Sequence, residues 1–497
     1  MKWQRFFVLT LVPGLALGVF ALGGCSQQKA EPVKTAVIAD GEMNPANWGK
    51  AYPLEYDSWM KTKDPRPVGK TKYKNDFDAR NSHYDKLSEY PFMPLLFNGW
   101  GFGIEYNEPR GHYYMVTDQV EIDQSRTKAG GVCLTCKSPY VPKLKNELGS
   151  TYFSGAYADV RNKIPEEARE LGAACMDCHE NKNMGLQLSR WTLQNALKDM
   201  GKNPDQLSRQ ELRSLVCAQC HVTYVIPKDK DMKSTDVFFP WQGSKDGNIT
   251  IENIIKVMRS NPAYEEWKQN VTGFKVAFIR HPEYEFFSMN SVHSQAGASC
   301  ADCHMPYTKV GTSKISDHNV QSPFKGDLKA CQQCHSETPE WLSKQVFAIQ
   351  DRTISMINRA GYATAVTAKL FEIAHKAKEQ GKTIDQELYD RAKNLYLEAF
   401  YRINYMGAEN SVGFHNPSEA GRICTDAVAM ANRSETLLRQ ALLKAEVDLP
   451  ADINLELAKY VNERGAKKLK FRPELEFKDP YDLQNMITPA ASQGLNR

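Results

Sequence analysis

Long apolar runs are scarce in this 497-residue sequence. Only one stands out, from Phe6 to Leu22, and no second run is long enough to cross a membrane. Lysines are dispersed, with no basic stripe interleaved with aromatic residues, so the sequence gives no support for nucleic-acid binding. Long alternating strand patterns and a fixed repeat period are also missing, which argues against sheet-rich and solenoid architectures.

The amino terminus has the composition of an export signal. A basic start with Lys2 and Arg5 precedes the apolar run, and small residues follow it, so segment 1–24 predicts export to the periplasm. Leu22-Gly23-Gly24-Cys25 also resembles a bacterial lipobox, in which the cysteine is lipidated. Ordinary cleavage nearby and a lipid anchor through Cys25 both fit these residues. The polar, proline-bearing segment 26–45 is predicted to be a tether.

Cysteines available for disulfides are almost absent, because ten of the 12 lie in five short motifs. The motifs are Cys133-Leu-Thr-Cys136-Lys137, Cys175-Met-Asp-Cys178-His179, Cys217-Ala-Gln-Cys220-His221, Cys300-Ala-Asp-Cys303-His304 and Cys331-Gln-Gln-Cys334-His335. C-x-x-C-H is the pattern of covalent c-type haem attachment, with two thioether bonds and the histidine on the iron. Zinc is a weaker alternative, since its paired sites do not require a histidine after each pair. The sequence therefore predicts five covalently bound haem c groups.

The first motif carries a lysine, Lys137, where the other four carry a histidine. A lysine amine must lose a proton before it can coordinate iron, which costs about 4.6 kcal/mol at neutral pH from a pKa near 10.4. A chance substitution is therefore an unattractive explanation. If Lys137 is the only protein ligand, the opposite face of that iron is open to a substrate. The alternative is a free lysine with a distant histidine on the iron.

Four of the 11 histidines, one in each C-x-x-C-H motif, are predicted to be proximal iron ligands. A haem that only carries electrons is usually closed by protein on both faces, so four more ligands are needed. Among the other seven histidines, four lie in polar or turn-like settings that permit this role: His112, His293, His318 and His415. His83 and His375 are interpreted as structural.

The composition divides the chain into two parts. Residues 46–335 are rich in glycine, proline and turn residues and predict short helices organised around cofactors. Residues 336–497 predict long amphipathic helices, beginning at Thr338-Pro339-Glu340, running from Ile384 to Met406, and running from Pro417 to about Val447. Cys424 lies on the third run and is predicted to be buried. The predicted fold is mainly α, a multihaem c-type cytochrome fold with an irregular haem-organised body and long carboxy-terminal helices.

With one C-x-x-C-K motif, four C-x-x-C-H motifs and a helical carboxy-terminal region, the chain resembles the pentahaem cytochrome c nitrite reductases, periplasmic enzymes that form ammonia. The likeness covers most of the mature chain. Tyr224 stands where the family has its active-site tyrosine, and His281-Pro282-Glu283 matches the stretch with the active-site histidine. Arg126, in Ser125-Arg126-Thr127, falls where the family places its arginine, and Arg110 is the second candidate.

The resemblance implies the ligand pairs, the activity and the partners. It pairs His318 with His179, His112 with His221, His415 with His304 and His293 with His335. It implies reduction of nitrite to ammonium at the lysine-ligated haem, with electrons from the four bis-histidine haems. The electron donor is expected to be quinol-linked or another periplasmic cytochrome. The helical region 336–497 is expected to complete the same domain as the haem body. Within it, the run after Pro417 is the expected interface of a homodimer.

Three positions depart from the family in a way that bears on calcium. Many members hold a calcium ion near the active haem, and this chain has Thr223, Phe278 and Arg280 at the corresponding ligand positions. Calcium requires several oxygen ligands with carboxylate charge, and a guanidinium repels it. The sequence therefore predicts a calcium-independent variant in which Arg280 replaces the ion, the alternative being an arginine that points into solvent.

Two other functions remain open at this stage. A related reductase of hydroxylamine or sulfite would keep the architecture and change the substrate. A pure electron-transfer cytochrome would have every iron closed by two protein ligands.

Overall fold

The computed structural model of the chain describes residues 36–64, 69–74, 84–244 and 249–495. The predicted export segment, Cys25, the first part of the predicted tether and His83 lie outside these residues. Towards the end of that tether, Ile38 is buried against Trp48, Ala51 and Tyr52. The chain is therefore attached to the body before residue 45. No helix in the described part is both long and apolar enough to span a membrane.

The helices of the first part are short, as predicted. They are α1 Pro45–Gly49, α2 Pro53–Met60, α3 Lys86–Glu89, α4 Met93–Leu96, α5 Met115–Glu121, α6 Val141–Leu148, α7 Ser150–Ser154, α8 Tyr157–Arg161, α9 Cys175–Cys178, α10 Trp191–Asp199, α11 Arg209–Ala218, α12 Ile251–Met258, α13 Glu283–Ser288, α14 Val292–Gln295 and α15 Cys300–His304. Helices of this length are marginal on their own in water. They depend on packing and on caps such as Ser208, whose hydroxyl accepts a hydrogen bond from Glu211 N at the start of α11.

Two small antiparallel hairpins are the β-structure of the described residues. Strand β1 Trp267–Lys268 pairs with β2 Lys275–Val276, and β3 Tyr307–Val310 pairs with β4 Ser313–Ser316. Next to the first hairpin, Glu266 N donates to Val276 O at 2.8 Å. This hydrogen bond places Glu266 beside the segment that leads from β2 to Arg280. Glu266 and Arg280 are 14 positions apart in the sequence.

Three long helices form the second part: α16 Pro339–Glu379, α17 Gln386–Ala408 and α18 Pro417–Lys444. The predicted start of α16 is observed, since Thr338 Oγ1 accepts from Trp341 N and Pro339 occupies the first turn. The second and third helices agree with their predicted ranges to within about three residues. Cys424 is fully buried on α18, as predicted. Three short helices follow: α19 Leu457–Val461, α20 Leu483–Ile487 and α21 Ala490–Gln493.

Small residues allow the three long helices to pack closely. Ala363, Ala399 and Ala431, one from each helix, form a buried cluster. Ser434 Oγ donates across the contact to Ala392 O at 2.7 Å. The buried face of α18 therefore packs against α16 and α17, whereas its opposite face is polar and exposed.

A continuous apolar core joins the two parts of the chain. Phe97 and Phe278 from the first part meet edge to face with ring centroids 5.0 Å apart, and Phe97 also approaches Phe400 of α17. Aromatic pairs in this geometry contribute beyond the area they bury. The segment just before Arg280 is therefore anchored to the long helices.

Candidate active site

The five cysteine motifs all begin in helical turns. Three begin in or at the end of α9, α11 and α15, and two begin in 3-10 turns at Gly130–Leu134 and Cys331–Gln333. In such a turn, residues three positions apart lie on the same side, so both thiols of a motif can reach one porphyrin edge. The cysteines of the described residues form no disulfide, which leaves their thiols for thioether bonds.

Three of the motif histidines face a second histidine from a distant segment. The ring centroids are 6.2 Å apart for His179 and His318, 6.3 Å for His335 and His293, and 6.2 Å for His304 and His415. Two imidazoles on opposite sides of one metal ion, each bound at about 2.0 Å, have centroids about 6.2 Å apart, because each centroid lies about 1.1 Å behind its nitrogen. The spacing of all three pairs therefore fits one iron between two imidazoles.

Hydrogen bonds at Nδ1 orient four of these rings. The distances are 2.9 Å from His179 to Met184 O, 2.9 Å from His304 to Gln321 O, 2.8 Å from His318 to Ser316 O and 2.7 Å from His415 to Glu409 Oε1. Carbonyl and carboxylate oxygens only accept, so each Nδ1 carries the proton and each Nε2 presents its lone pair. Metal-ligating histidines usually have such a partner.

The fourth motif histidine, His221, has several histidines in its surroundings. Burial, and then the nearby His112 and His304, lower the pKa of His221 to about 3. The ring of His281 lies 6.4 Å from it, centroid to centroid. The structure thus places His112, the partner implied by the resemblance, within electrostatic range of His221.

The surroundings of Lys137 differ from those of the histidine motifs. Arg126 lies with its guanidinium carbon 3.4 Å from the centroid of Phe102, and one Nη donates to Glu105 O at 2.6 Å. Its Nε is buried without a hydrogen-bond partner among the described residues. Burial lowers the pKa of Arg126 to about 10, so it remains a cation at neutral pH with a donor to spare.

Arg110, the second candidate, is engaged elsewhere. Its Nε donates to Asp118 at 2.5 Å and its Nη2 donates to Glu121 at 2.6 Å. Two carboxylates therefore neutralise Arg110, whereas Arg126 has no carboxylate partner among the described residues. Of the two arginines, only Arg126 presents a charge that an anion from outside the chain could compensate.

Arg280 is buried, so the alternative in which it points into solvent is excluded. It is 2% exposed, and its two Nη atoms bind the two carboxylate oxygens of Glu266 at 2.8 and 2.5 Å. Nη1 also donates to Phe278 O at 3.0 Å, and Arg280 N donates to Thr223 Oγ1 at 3.4 Å. Arg280 thus contacts the other two positions singled out in the sequence, Phe278 through its guanidinium and Thr223 through its backbone N–H.

Tyr224 packs on this buried pair. The Arg280 guanidinium carbon lies 4.9 Å from the centroid of the Tyr224 ring, within the range of a cation–π contact. Burial raises the pKa of the Tyr224 hydroxyl, so it keeps its proton at neutral pH. One residue earlier, Thr223 N donates to the buried carboxyl of Glu285 at 2.9 Å, which fixes the loop after His221.

His281 has an unusual backbone conformation. Its φ of 48° lies in the left-handed region, which is uncommon for a residue other than glycine and marks a position worth examining for function. Burial, and then His221, Lys137 and Lys86, lower the pKa of its imidazole well below the usual value. His281 therefore lies within electrostatic range of Lys137 and is uncharged at neutral pH.

A buried polar cluster adjoins His281. Lys74 and Lys86 Nζ lie 2.7 and 3.2 Å from Glu108 Oε1, and both donate to Asn410 Oδ1. Asn410 Nδ2 in turn donates to Glu283 Oε1 at 2.6 Å, which lies 4.0 Å from His281 Nδ1. A continuous chain of polar groups therefore runs from the paired lysines to the predicted active-site histidine.

Comparison with known proteins places the chain in a family. The profile of cytochrome c552 matches residues 44–490. The chain belongs to the cytochrome c552 family. A curated relative from Parabacteroides distasonis, named cytochrome c-552, is 32% identical over 458 residues, which cover 89% of this chain and 87% of the relative.

Two further members of the cytochrome c552 family carry a more specific name. The cytochrome c nitrite reductase subunit NrfA of Nitratidesulfovibrio vulgaris is 29% identical over 437 residues, covering 82% of this chain and 81% of the relative. The solved structure of the cytochrome c nitrite reductase from Desulfovibrio desulfuricans, described as having two calcium sites, superposes with a TM-score of 0.73. It is 27% identical, covering 86% of this chain and 91% of that one. The predicted mainly α multihaem cytochrome fold is confirmed.

Several residues of this family member's pocket were missed by sequence reasoning. Glu266, Glu285 and Asn410 lie in no recognisable motif, and each reaches the pocket from a segment that only the folded chain brings near. Arg280 gave the one available indication of Glu266, because a buried guanidinium requires a carboxylate nearby. The sequence could not say which carboxylate.

Proposed function

We propose that the protein is a periplasmic nitrite reductase that forms ammonium at the haem attached to Cys133 and Cys136. The observation that carries this proposal is the difference between the motifs. Three histidine motifs have a second imidazole at the spacing of a shared iron. The lysine motif is instead within electrostatic range of Arg126 and Tyr224, which interact with Cys133, and of His281, which interacts with Lys137. The named nitrite reductases among the relatives support the same activity.

The residues fit five covalent haems. Ten cysteines stand in pairs, and the imidazole pairs present nitrogen lone pairs at a suitable distance. Lys137 would hold the active iron, and the other four irons would be held by His179 with His318, His221 with His112, His304 with His415, and His335 with His293. The bound haems supply redox-active iron and a store of electrons.

The chain's own residues bind the anion and move protons. Conversion of nitrite to ammonium and two waters takes six electrons and eight protons, so the pocket must accept an anion and resupply protons repeatedly. Arg126 offers a cation and a free donor to nitrite oxygen. Tyr224 keeps its hydroxyl proton and can donate a hydrogen bond. His281, uncharged at rest, can accept a proton and pass it on.

We also propose that the Arg280–Glu266 pair takes the structural place of calcium. The guanidinium already satisfies Phe278 O, and no carboxylate stands at Thr223 to attract the ion. The pair is neutral overall, so Arg280 acts here by linking Glu266, Phe278 and Thr223 rather than by adding net charge. Metal analysis of the purified holoprotein should find no stoichiometric calcium, and a chelator should leave turnover unchanged. Tightly held calcium in a one-to-one ratio would contradict this.

The remaining functional predictions belong to the same proposal. The protein would take electrons from a quinol-linked or other periplasmic cytochrome and act as a homodimer through the region after Pro417. In that case the polar outer face of α18, with Arg422, Arg433 and Gln440, would meet its copy, because the apolar face already packs on α16 and α17. A lipid anchor through Cys25 remains part of the proposal.

The test of the activity is a count of products. Holoprotein driven by reduced viologen should yield one ammonium per nitrite and consume six electrons. A reductase of hydroxylamine or sulfite would show a different ratio or a marked preference for that substrate. A pure electron-transfer cytochrome would show no high-spin ferric signal and no spectral change with nitrite or cyanide, and either result would sink the proposal.

A further inference from the structure

Lys228 is a buried cation without a buried counter-charge of its own. It is 9% exposed, lies four residues after Tyr224, and faces Ser234 across an isolated antiparallel bridge. Its Nζ donates to Ser234 Oγ at 3.0 Å. No carboxylate of the described residues makes an ion pair with it. An ammonium has three donors, so two of them have no partner in this part of the chain.

The position of Lys228 is set by the segment that leads into the lysine motif. Ser234 Oγ, which accepts from Lys228, itself donates to Ala129 O at 2.9 Å. Ala129 directly precedes Gly130 and Gly131, and the motif begins at Cys133. The ammonium is therefore tied, through one hydroxyl, to the backbone that carries the covalent attachment site of the proposed active haem.

The charges around this attachment site do not balance. Four cations influence the Cys133 thiol, in the order Arg126, Arg280, Lys228 and Lys137. Arg280 is neutralised by Glu266, whose two oxygens are both taken up by that arginine. The same carboxylate is the largest negative influence on Lys228, but burial has a larger effect and lowers the pKa of the amine. Because Lys137 would coordinate iron as a neutral amine, Arg126 and Lys228 are left as the two cations that have no carboxylate of their own among the described residues.

A buried charge without a partner costs several kcal/mol, so two of them beside one motif indicate that an anion from outside the polypeptide completes the site. We propose that Lys228 is a second anion-binding residue of the lysine-haem pocket, acting with Arg126 on a small oxyanion. The ligand chemistry is a pair of oxygens sharing one negative charge. Two sources provide it: the nitrite substrate and a propionate of the haem attached at Cys133. This inference rests on the proposed function.

The experiment compares charge removal at Lys228 with removal at an exposed neighbour. Lys228→Met removes the ammonium, Lys228→Arg retains the charge, and Lys230→Met, two residues along the same segment and exposed, is the matched control. Lys228→Gln keeps a hydrogen-bond donor for Ser234 but removes the charge. It replaces Lys228→Met in the comparison if the methionine variant does not form folded holoprotein. The readouts are the nitrite dissociation constant from the optical shift of ferric holoprotein, turnover of uncharged hydroxylamine, and the reduction potential of the high-spin haem.

Two outcomes support the inference and identify the anion. If Lys228 binds nitrite, the dissociation constant for nitrite rises on the order of tenfold, while hydroxylamine turnover and the reduction potential stay unchanged. If it binds a propionate, the potential of the lysine haem falls and both substrates are affected alike, because a cation that favoured the reduced iron is lost. In either case Lys228→Arg behaves more like the wild type than Lys228→Met.

The inference is overturned if Lys228→Met and Lys228→Gln match Lys230→Met in nitrite affinity, hydroxylamine turnover and potential. That failure differs from failure of the proposed function. In the latter case the wild-type holoprotein itself would neither shift its spectrum with nitrite nor form ammonium.

Discussion

The histidine motifs and the lysine motif each contain a C-x-x-C pair, but different residues surround them. His179, His304 and His335 each face a second imidazole, with ring centroids 6.2 to 6.3 Å apart. At the lysine motif, Arg126 and Arg280 influence the Cys133 thiol. Arg280 in turn lies over the Tyr224 ring and pairs with Glu266. On the proposed function, the closed sites rely on a metal ion to hold two ligands together, and the open site at Lys137 relies on charges supplied by the chain.

The largest expected effect is on stability at the open site. Glu266→Gln leaves Arg280 buried with its charge unpaired and should lower the free energy of unfolding by about 3–5 kcal/mol. The melting temperature of the holoprotein measures this. Glu387→Gln, which removes the exposed partner of exposed Arg391, is the control and should cost no more than about 1 kcal/mol. The double variant Glu266→Gln/Arg280→Met should regain most of the loss. A single variant that melts like the wild type would show that the pair does not hold the pocket.

The next effect is on catalysis at the same site. Arg126→Leu should lower kcat/KM for nitrite by about 10²–10³-fold, the size expected when one preorganised donor to the reacting group is lost. Arg110→Leu is the matched control, because Arg110 is already neutralised by Asp118 and Glu121. Steady-state ammonium formation measures both. Equal losses in the two variants would contradict the assignment of Arg126.

A closed site should become open when its distal imidazole is removed. His415→Ala should convert the haem of His304 into one that binds carbon monoxide, while nitrite turnover falls less than in the Arg126 variant. The count of ligand-binding haems by optical titration measures the change. His375→Ala removes an imidazole that bonds to the Tyr389 hydroxyl, and should leave the count unchanged. An unchanged count in His415→Ala would place another ligand on that iron.

The smallest effect is the pH dependence of the polar cluster beside His281. Burial raises the pKa of Glu89 to about 7, whereas at Glu108 burial is outweighed by Lys74 and Lys86, which lower its pKa to about 2. The folded state therefore holds the Glu89 proton more tightly than the unfolded state, so stability falls as pH rises from about 4.5 to about 7. The Glu108 contribution is present above about 4.5 and is lost as pH falls towards about 2.

Two variants separate these opposite slopes. In Glu89→Gln, the decrease in stability between about pH 4.5 and about pH 7 should disappear. Glu108→Gln should be less stable than the wild type at neutral pH, and this difference in stability should become smaller in acid. Melting temperatures across the pH range measure both. Slopes that do not differ between the variants would show that the two carboxylates do not titrate as separate groups.

The sequence predicted the features that depend on local pattern. Cysteine spacing located the attachment turns, and Thr338 with Pro339 located the start of α16. Arg280 drew attention because its charge is incompatible with calcium. The residues that could not be predicted act across the fold. Glu266 meets Arg280 only because a two-strand hairpin reverses the chain, and Asn410 reaches Glu283 from the far end of α17. No spacing rule connects such positions.

The Arg280–Glu266 pair has a consequence that follows from mass action. A bound ion stabilises a protein by an amount that grows with its free concentration, and the site empties when the concentration falls below the dissociation constant. A guanidinium on the polypeptide has no dissociation constant. Its occupancy is complete in every molecule, so its contribution to the stability of this pocket is set when the chain folds and does not vary with the calcium concentration.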